Sequence, residues 1–245
     1  MEIARLNTRG WTWLLSGRRR AIWLVMLATV TVVGGLVGYR MYEVQRYTDL
    51  YWRNHTNTTE ASELYRLGKP GLDQSWLVSK DGGRTYEHTQ FDAATPVLAE
   101  GQTGQSIVGL VPYSYGDAEV DGWVFQWGQG GRDGVGLVLR ANLQTGDMLV
   151  FQLNKRAGTW AFRRHLHGVW TALQGTTESS LINRAGDWNN LLVAIMRGNQ
   201  YILFINYKFV GAYTDDSLRA GSVGLFTEDG AVTLRSGGFT VYHTA

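Results

Sequence analysis

The hydrophobic positions of this chain follow two different patterns, and the first is a single unbroken run near the N-terminus. Between Arg20 and Arg40 lie 19 residues without a charge, residues 21–39. At about 1.5 Å rise per residue, such a helix spans roughly 28 Å, close to the hydrocarbon thickness of a bilayer. A cleaved signal peptide is the alternative, but the run exceeds the usual apolar region of such peptides and no clear cleavage site follows it. We therefore predict a retained transmembrane helix.

Basic residues on either side of this run predict its orientation. Five arginines precede it and three follow within about fifteen residues, which favours a cytoplasmic N-terminus and an extracytoplasmic main domain. Within the run, Gly34 and Gly38 form a G-x-x-x-G pattern, and small residues let helices approach closely. We expect helix packing there. Residues 41–52 keep a helical spacing and predict a short stalk.

The second pattern, from about residue 64 onward, is short alternating segments separated by glycine-rich breaks. This pattern predicts strands and turns, with neither a helical period nor the strand–helix–strand spacing of nucleotide-binding folds. The sequence therefore predicts an all-β antiparallel sandwich or jelly roll. The predicted domains are 1–20 (cytoplasmic), 21–39 (transmembrane), 40–63 (stalk and linker) and 64–245 (jelly roll). The predicted strands are 75–79, 106–111, 122–127, 134–140, 148–154, 160–164, 191–197, 201–206, 209–213, 221–226 and 238–243.

Composition and charge exclude several classes of protein. The chain has 31 glycines, three prolines and no cysteine, which rules out a disulfide scaffold, a thiolate metal site and a cysteine nucleophile. Its net charge of +2 comes from the N-terminus. Residues 1–46 hold seven of the 23 basic and two of the 21 acidic residues, so the remainder holds 16 basic and 19 acidic ones. A domain without a basic excess does not predict nucleic-acid binding.

The last third of the chain carries a recognisable series of motifs. Trp188-Asn189-Asn190 opens a strand, Arg197-Gly198-Asn199 forms a turn, and a glycine-flanked segment, residues 221–226, precedes the closing residues 239–242. This series resembles the concanavalin A-like jelly-roll domains related to laminin-G modules and family-sixteen glycoside hydrolases, over about residues 117–242. The resemblance implies the sandwich fold. It does not choose a function, because such domains occur as lectins, adhesion modules, sensor ectodomains and enzymes.

The hydrolases of that family carry paired carboxylates in an E-x-D-x-E or E-x-D-x-x-E motif, and this chain departs from it. Glu119-Val120-Asp121 begins the motif, but Gly122-Trp123-Val124 follows and the second glutamate is missing. A lone carboxylate pair is more often a solvated strand edge, so we predict no catalytic residues and no enzyme activity. His165 and His167 are expected to share a strand face, without a third ligand for a metal. Residues 214–217 could offer calcium oxygens but lack a full ligand series, so no cofactor or metal is predicted.

Aromatic residues are the remaining candidates for surface chemistry. Trp123, Phe125 and Trp127 alternate along one predicted strand and so share one face, either as part of the core or as a platform on which sugars stack. Trp160 and Trp170 present the same two alternatives. Tyr207 lies at the tip of a predicted hairpin, where a three-residue turn tolerates it, or where it is displayed to a partner. The candidate ligand-binding residues are Trp123, Trp127, Trp160, Trp170 and Tyr207.

These patterns predict binding rather than turnover. The first hypothesis is a non-catalytic, single-pass cell-membrane protein, an accessory subunit whose jelly roll docks on membrane or envelope proteins. The alternative is a lectin-like, carbohydrate-binding protein of the cell surface, and a glycoside hydrolase comes third. The predicted partners are the lipid bilayer, membrane or envelope proteins and glycans, and no nucleic acid.

Overall fold

A computed structural model describes residues 9–57, 63–66, 75–90, 97–98, 106–127, 134–184, 190–228 and 231–244, and within some of these ranges only the backbone. The chain divides into two compact units, residues 1–50 and 51–245. Each unit is described by itself below.

The first unit is built from one long helix, α1 (Arg9–Asn57). The part of this helix after residue 50 belongs to the second unit. The sequence predicted a membrane helix followed by a short helical stalk, and in the structure one continuous helix covers both. A stretch within it, Leu24–Arg53, contains an 18-residue window with a mean hydropathy of 1.6 and is long and apolar enough to cross a membrane, by length and composition alone. The hydroxyl groups of Thr29 and Thr31 are satisfied within the helix, because they donate hydrogen bonds to the carbonyls of Val25 and Leu27 at 2.8 and 2.9 Å.

The second unit is built almost entirely from antiparallel strands. The strands are β1 (Glu63–Arg66), β2 (Ser75–Ser79), β3 (Glu87–Gln90), β4 (Val97–Leu98), β5 (Ser106–Tyr115), β6 (Ala118–Trp127), β7 (Gly134–Ala141), β8 (Met148–Asn154), β9 (Thr159–Leu166), β10 (Val169–Glu178), β11 (Asn190–Arg197), β12 (Gln200–Ile205), β13 (Lys208–Thr214), β14 (Gly221–Glu228) and β15 (Ala231–Tyr242).

The described strands form two sheets. A seven-stranded sheet has the order β1-β15-β6-β11-β12-β13, with β4 also paired to β15. An eight-stranded sheet has the order β10-β9-β8-β7-β14-β5-β2-β3. Consecutive strands often belong to opposite sheets, as β5, β6 and β7 do. This arrangement of an all-β sandwich with one N-terminal apolar helix confirms the predicted jelly-roll fold.

The core lies between the sheets and follows the two-residue period of the strands. On β6, Ala118, Val120 and Val124 enter the core, and Leu192, Ala194 and Met196 do so on β11. Trp76 is fully buried there, donates a hydrogen bond from its indole nitrogen to the Tyr65 hydroxyl at 2.9 Å, and meets the Phe239 ring edge-on at 5.1 Å. The residues between these inward positions necessarily project from the outer faces of the sheets.

One charged side chain, Arg140 on β7, is completely buried inside the domain. Its guanidinium group donates to the carbonyl oxygens of Gly198, Leu218 and Gly116 at 2.6, 3.0 and 3.1 Å. It also donates to the Tyr201 hydroxyl at 3.0 Å and to an Asp117 carboxylate oxygen at 3.3 Å. Since these groups come from three separate segments, residues 116–117, 198–201 and 218, Arg140 ties one end of the sandwich together.

Candidate binding site on the seven-stranded sheet

The motif strand β6 places its two carboxylates on the outer face of the seven-stranded sheet. Ala118 and Val120 point into the core, so Glu119 and Asp121 point the other way. The expectation of a solvated strand edge is wrong, because β6 is an interior strand, paired with β11 and β15. Glu119 is 0 % exposed and Asp121 is 8 % exposed. The structure therefore holds two acidic groups away from solvent.

The strands on either side surround this carboxylate pair with unequal partners. On β15, Tyr242 lies opposite Glu119 and Thr240 opposite Asp121. On β11, the same two acids face Ile195 and Val193, both fully buried. These cross-strand neighbours lie about 4.5–5.5 Å away between Cβ atoms, and aliphatic groups cannot stabilise a charge.

This environment raises the pKa of several ionisable side chains on the outer face of the sheet. Burial, together with the nearby Glu119, raises the pKa of Asp121 well above its usual range. Burial and then the charge of Asp121 raise the pKa of both the Tyr207 and Tyr242 hydroxyls. Asp121 therefore acts electrostatically on aromatic residues from two other elements.

The β12–β13 hairpin explains why a tyrosine belongs to this site. Ile205 pairs with Lys208, so the turn consists of Asn206 and Tyr207 alone. Both have positive φ, 49° and 65°, the left-handed geometry of the tight two-residue turn. The prediction that a three-residue turn spares Tyr207 this conformation is wrong. A tyrosine there costs about 1–2 kcal/mol relative to a right-handed conformation.

Asn206 holds the turn through its own side chain. Its amide oxygen accepts the Leu191 backbone N–H at 2.9 Å, and its amide nitrogen donates to the Leu181 carbonyl and the Asn190 side chain at 2.7 and 2.9 Å. Asparagine tolerates the left-handed region better than other residues with a Cβ. Tyr207 adopts the same region because the two-residue turn requires positive φ at both of its positions.

Three aromatic rings, Trp52, Trp123 and Tyr207, form a surface that we call the aromatic ledge. The Tyr207 ring stacks on Trp52 with centroids 6.0 Å apart and planes 14° apart, and meets Trp123 edge-on at 6.2 Å. Trp52 is 45 % exposed, Tyr207 is 37 % exposed and Trp123 is half-buried. Beneath them the buried Tyr51 ring lies 5.0 Å from Phe204 and 6.2 Å from Tyr207. The ledge therefore combines a packed base with open ring surfaces.

The other predicted ligand-binding residues do not join the ledge. Trp160 is 5 % exposed and packs in the core against Phe151 and Tyr213, so a surface ligand cannot reach it. The side chains of Phe125 and Trp127 lie outside the described residues.

Trp170 lies on the eight-stranded sheet. There the Arg163 guanidinium group lies 4.5 Å above the Trp170 ring, and the His165 ring is 4.7 Å away. Of the five predicted ligand-binding residues, the structure brings Trp123 and Tyr207 together and places Trp160 and Trp170 elsewhere.

The sequence predicted no metal site, and the two features it considered, the pair His165 and His167 and residues 214–217, make other contacts. His167 lies in the β9–β10 turn with φ of 50°, so it does not share a strand face with His165. The Asp215 carboxylate accepts a hydrogen bond from Arg164 at 2.7 Å and bonds with Ser217. Across the described ranges, no group of three acidic or histidine side chains is arranged to hold a metal ion.

Two further features complete the inventory of candidate sites. A cleft of about 900 Å³ is lined by Glu178, Ser179, Ser180, Asn183, Arg184 and three apolar residues, none of which the sequence pointed to. In the first unit, Gly34 and Gly38 are exposed and have no other side chain within 4 Å of where a Cβ would stand. Their use in helix packing stays a prediction.

Trp52 is the member of the aromatic ledge that the sequence did not predict. The only signal was its position next to Tyr51, which belongs to the predicted helical stalk. No sequence pattern links residue 52 to a hairpin tip about 155 residues later.

Chemically, the ledge offers flat ring surfaces for stacking, with the carboxylates kept beneath the surface. The next outward position on β6 after Glu119 and Asp121 is occupied by Trp123, where the E-x-D-x-E motif has its second glutamate. Glycoside hydrolysis requires two carboxyl groups that flank a bound sugar, and both carboxylates here are buried. The geometry supports binding better than cleavage.

Comparison with known proteins gives the fold independent support. No protein-family model and no curated protein sequence matches the chain. Among solved structures, a Bacillus subtilis protein of unknown function with a galectin-like fold has a TM-score of 0.56 at 16 % identity, covering 74 % of this chain and 96 % of that one.

Two hydrolases are also similar in structure. A native glycosidic hydrolase has a TM-score of 0.52 at 9 % identity, covering 74 % of this chain and 94 % of its own. The Bacillus licheniformis beta-glucanase has a TM-score of 0.51 at 8 % identity, covering 75 % and 99 %. These likenesses concern the fold, which is that of concanavalin-like jelly rolls.

Proposed function

We propose that this chain is a single-pass membrane protein whose extracytoplasmic jelly roll binds a glycan on the aromatic ledge without cleaving it. One observation carries the proposal, namely the exposed stack of Trp52 and Tyr207, in which Tyr207 holds an unfavourable backbone conformation. Strained residues persist where the rest of the structure fixes them, and they cluster at ligand-binding positions. Flat aromatic faces are the surfaces on which sugar rings stack.

The fold supports a sugar as the ligand. Two of the similar structures are named as a beta-glucanase and a glycosidic hydrolase, and a third as having a galectin-like fold. A jelly roll with this architecture therefore occurs in proteins that act on glycans. The departure at Trp123 and the burial of Glu119 and Asp121 favour a binding function over hydrolysis.

The proposed topology follows from the apolar helix and its flanking charges. Residues 21–39 would cross the bilayer, residues 1–20 would face the cytoplasm, and residues 64–245 would form the outer domain, joined by residues 40–63. The excess of arginine before the run favours this orientation over its reverse.

A second candidate function is an accessory subunit that docks on membrane or envelope proteins. The observation that favours it is the open surface at Gly34 and Gly38, where a partner helix could approach closely. Replacing both glycines with leucine would then release partners during purification from native membranes in mild detergent. Unchanged co-purification would count against this contact.

The ledge is tested by glycan-array binding of the full-length protein in mild detergent. Trp52→Ala and Tyr207→Ala should each abolish retention of the bound glycan, while Tyr113→Ala should not. Tyr113 is a matched control because it is 39 % exposed, like Tyr207, but lies on the other sheet. Circular dichroism would show that each variant remains folded.

Two results would overturn the proposal. Failure of the wild-type protein to retain any glycan would remove the sugar as a ligand. Equal retention by Trp52→Ala and by the wild type would move the site away from the ledge.

A further inference from the structure

The edges of the two sheets are protected unequally. An exposed edge strand presents unpaired backbone groups, and proteins usually protect such strands with charges, bulges or short length. Strand β1 has four residues and includes Glu63 and Arg66, and β3 has four and begins with Glu87. Strand β13 begins with Lys208 and contains a register irregularity. Each of these described edges carries at least one protective feature.

Strand β10 is protected over only part of its length. It is ten residues long, pairs only with β9 among the described strands, and has no charged residue before Glu178. Two register irregularities interrupt its second half, after Ala172 and after Gln174. The first half, Val169 to Ala172, pairs regularly with β9, and all four of its residues are exposed. Val169 is 63 % exposed and Trp170 is 37 % exposed.

The β9–β10 turn determines which backbone groups face outward. Leu166 pairs with Val169 across the two-residue turn of His167 and Gly168, which have φ of 50° and 81°. In such hairpins the residues that flank the turn exchange hydrogen bonds, and the pattern then alternates along the strand. Val169 and Thr171 therefore bond to β9, while the backbone groups of Trp170 and Ala172 point away from the sheet.

We propose that this segment, Val169 to Ala172, pairs antiparallel with the same segment of a second copy of the chain, centred on Thr171. Trp170 of one copy then lies opposite Ala172 of the other, and the reverse, which forms about four backbone hydrogen bonds. Trp170 and Ala172 project from the same face of β10, so each indole packs beside a small side chain. The two Thr171 side chains meet at the two-fold axis.

The same strand argues for a second copy as the occupant. An uncharged segment meets itself without like-charge repulsion, and a two-fold interface requires such self-complementarity. Antiparallel pairing places the two copies of Glu178 at opposite ends, whereas parallel pairing places them side by side. An anchoring helix also confines copies to one membrane, which raises their effective concentration. The inference does not depend on which ligand the aromatic ledge binds.

The absence of cysteine in the chain makes a sharp cross-linking test possible. Directly opposed positions in a pair without mutual hydrogen bonds suit a cross-strand disulfide, because their Cβ atoms lie close together. Full-length Thr171→Cys in mild detergent should convert mostly to a covalent dimer on oxidation, of twice the 27.4 kDa chain mass. Thr176→Cys is the matched control, since it is exposed on the irregular half of β10 and should stay monomeric.

Two further variants distinguish this interface from others. Ala172→Pro removes an outward backbone donor without breaking a bond to β9, and should reduce the light-scattering mass of the wild-type dimer to that of a monomer. A Gly34→Leu and Gly38→Leu double variant should keep the dimer. A monomeric wild type, absence of the Thr171→Cys cross-link, or a dimer that survives Ala172→Pro would overturn the proposal.

Discussion

Two regions of the jelly roll bury ionisable groups in opposite ways. At one end of the sandwich, the Arg140 guanidinium group meets five oxygen atoms within 3.3 Å. On the outer face of the seven-stranded sheet, Asp121 lies beside Val193 and the second acid, Glu119, and its Oδ1 has no hydrogen-bond partner in the described part of the molecule. We therefore expect Arg140 to stabilise the fold, and we expect the charged form of Asp121 and the positive φ of Tyr207 to reduce stability. Such groups are enriched at functional sites, which is consistent with the proposed use of this face.

The largest effect should come from removing the Arg140 guanidinium group, whose two terminal nitrogens make all five of these hydrogen bonds. Arg140→Met removes the Arg140 donor from the carbonyl oxygens of Gly116 and Gly198 and one of the two donors of the Leu218 carbonyl, which also accepts from the Tyr201 hydroxyl. It also removes the ion pair with Asp117, so the free energy of unfolding should fall by about 3–5 kcal/mol. Urea denaturation followed by tryptophan fluorescence measures this. Arg219→Met, at an exposed position, is the control and should change the value by less than about 0.5 kcal/mol. A loss below about 1 kcal/mol for Arg140→Met would contradict the inference that Arg140 stabilises the fold while the carboxylate pair reduces its stability.

Neutralising the carboxylate pair should have the opposite sign. The folded state raises the pKa of Asp121, so the stability it contributes is present below about pH 4 and is lost as pH rises through the raised pKa. Asp121→Asn mimics the protonated form and should leave stability unchanged at pH 4. At pH 8 it should increase stability by roughly 1–3 kcal/mol. Thermal denaturation at both pH values measures the difference.

Asp215→Asn supplies a control for this result. Asp215 is buried but ion-paired with Arg164 at 2.7 Å, so its neutralisation should lower stability at pH 8. If Asp121→Asn also lowered stability at pH 8, the carboxylate pair would be a stabilising element.

The cost of Tyr207 is measured by comparing two substitutions at that position. Tyr207→Ala and Tyr207→Gly both remove the ring, but only glycine adopts positive φ freely. Tyr207→Gly should therefore be more stable than Tyr207→Ala by about 1 kcal/mol in chemical denaturation. Equal stabilities would show that the turn imposes no strain.

The smallest effect is expected at Asp81, an exposed carboxylate with many partners. Burial alone would raise its pKa, but hydrogen bonds from the Ser79 and Thr85 hydroxyls and from backbone N–H groups outweigh it and hold the pKa below its usual range. The stability that Asp81 contributes is therefore present above about pH 4 and is lost as pH falls. This pH dependence is the reverse of that expected for Asp121. Asp81→Asn should cost less than about 1 kcal/mol at pH 7, measured by the thermal midpoint. A gain in stability would contradict this assignment.

Strand predictions succeeded where both faces of a strand are constrained. Strands β2 and β8 have the predicted bounds, because each is buried at most positions and appears in the sequence as a short apolar run. Strand β10 was missed, since an exposed and bulged edge strand has no such run. The short edge strands β1 and β3 were missed for the same reason. The sequence therefore reveals strands that are buried and leaves exposed edges unrecognised.

The candidate site divides in the same way. Trp123 and Tyr207 were recognisable from a strand alternation and a hairpin tip. The location of Trp160 was not recognisable from the sequence, because the alternation along its strand is compatible with the core and with the surface. Only the packing of the two sheets places it in the core. Burial of Glu119 and Asp121 was unpredictable, since it depends on what covers an outer sheet face.

By itself, the sequence determined the apolar helix, the antiparallel jelly roll and the loss of the second motif glutamate, because each depends on local period, length or residue identity. Only the tertiary structure decided that Trp52 stacks on Tyr207, that the carboxylates are buried, and that Asn206 and Tyr207 form a two-residue turn. These features arise from contacts between residues far apart in the chain, and a local pattern carries no information about which distant segment will meet it.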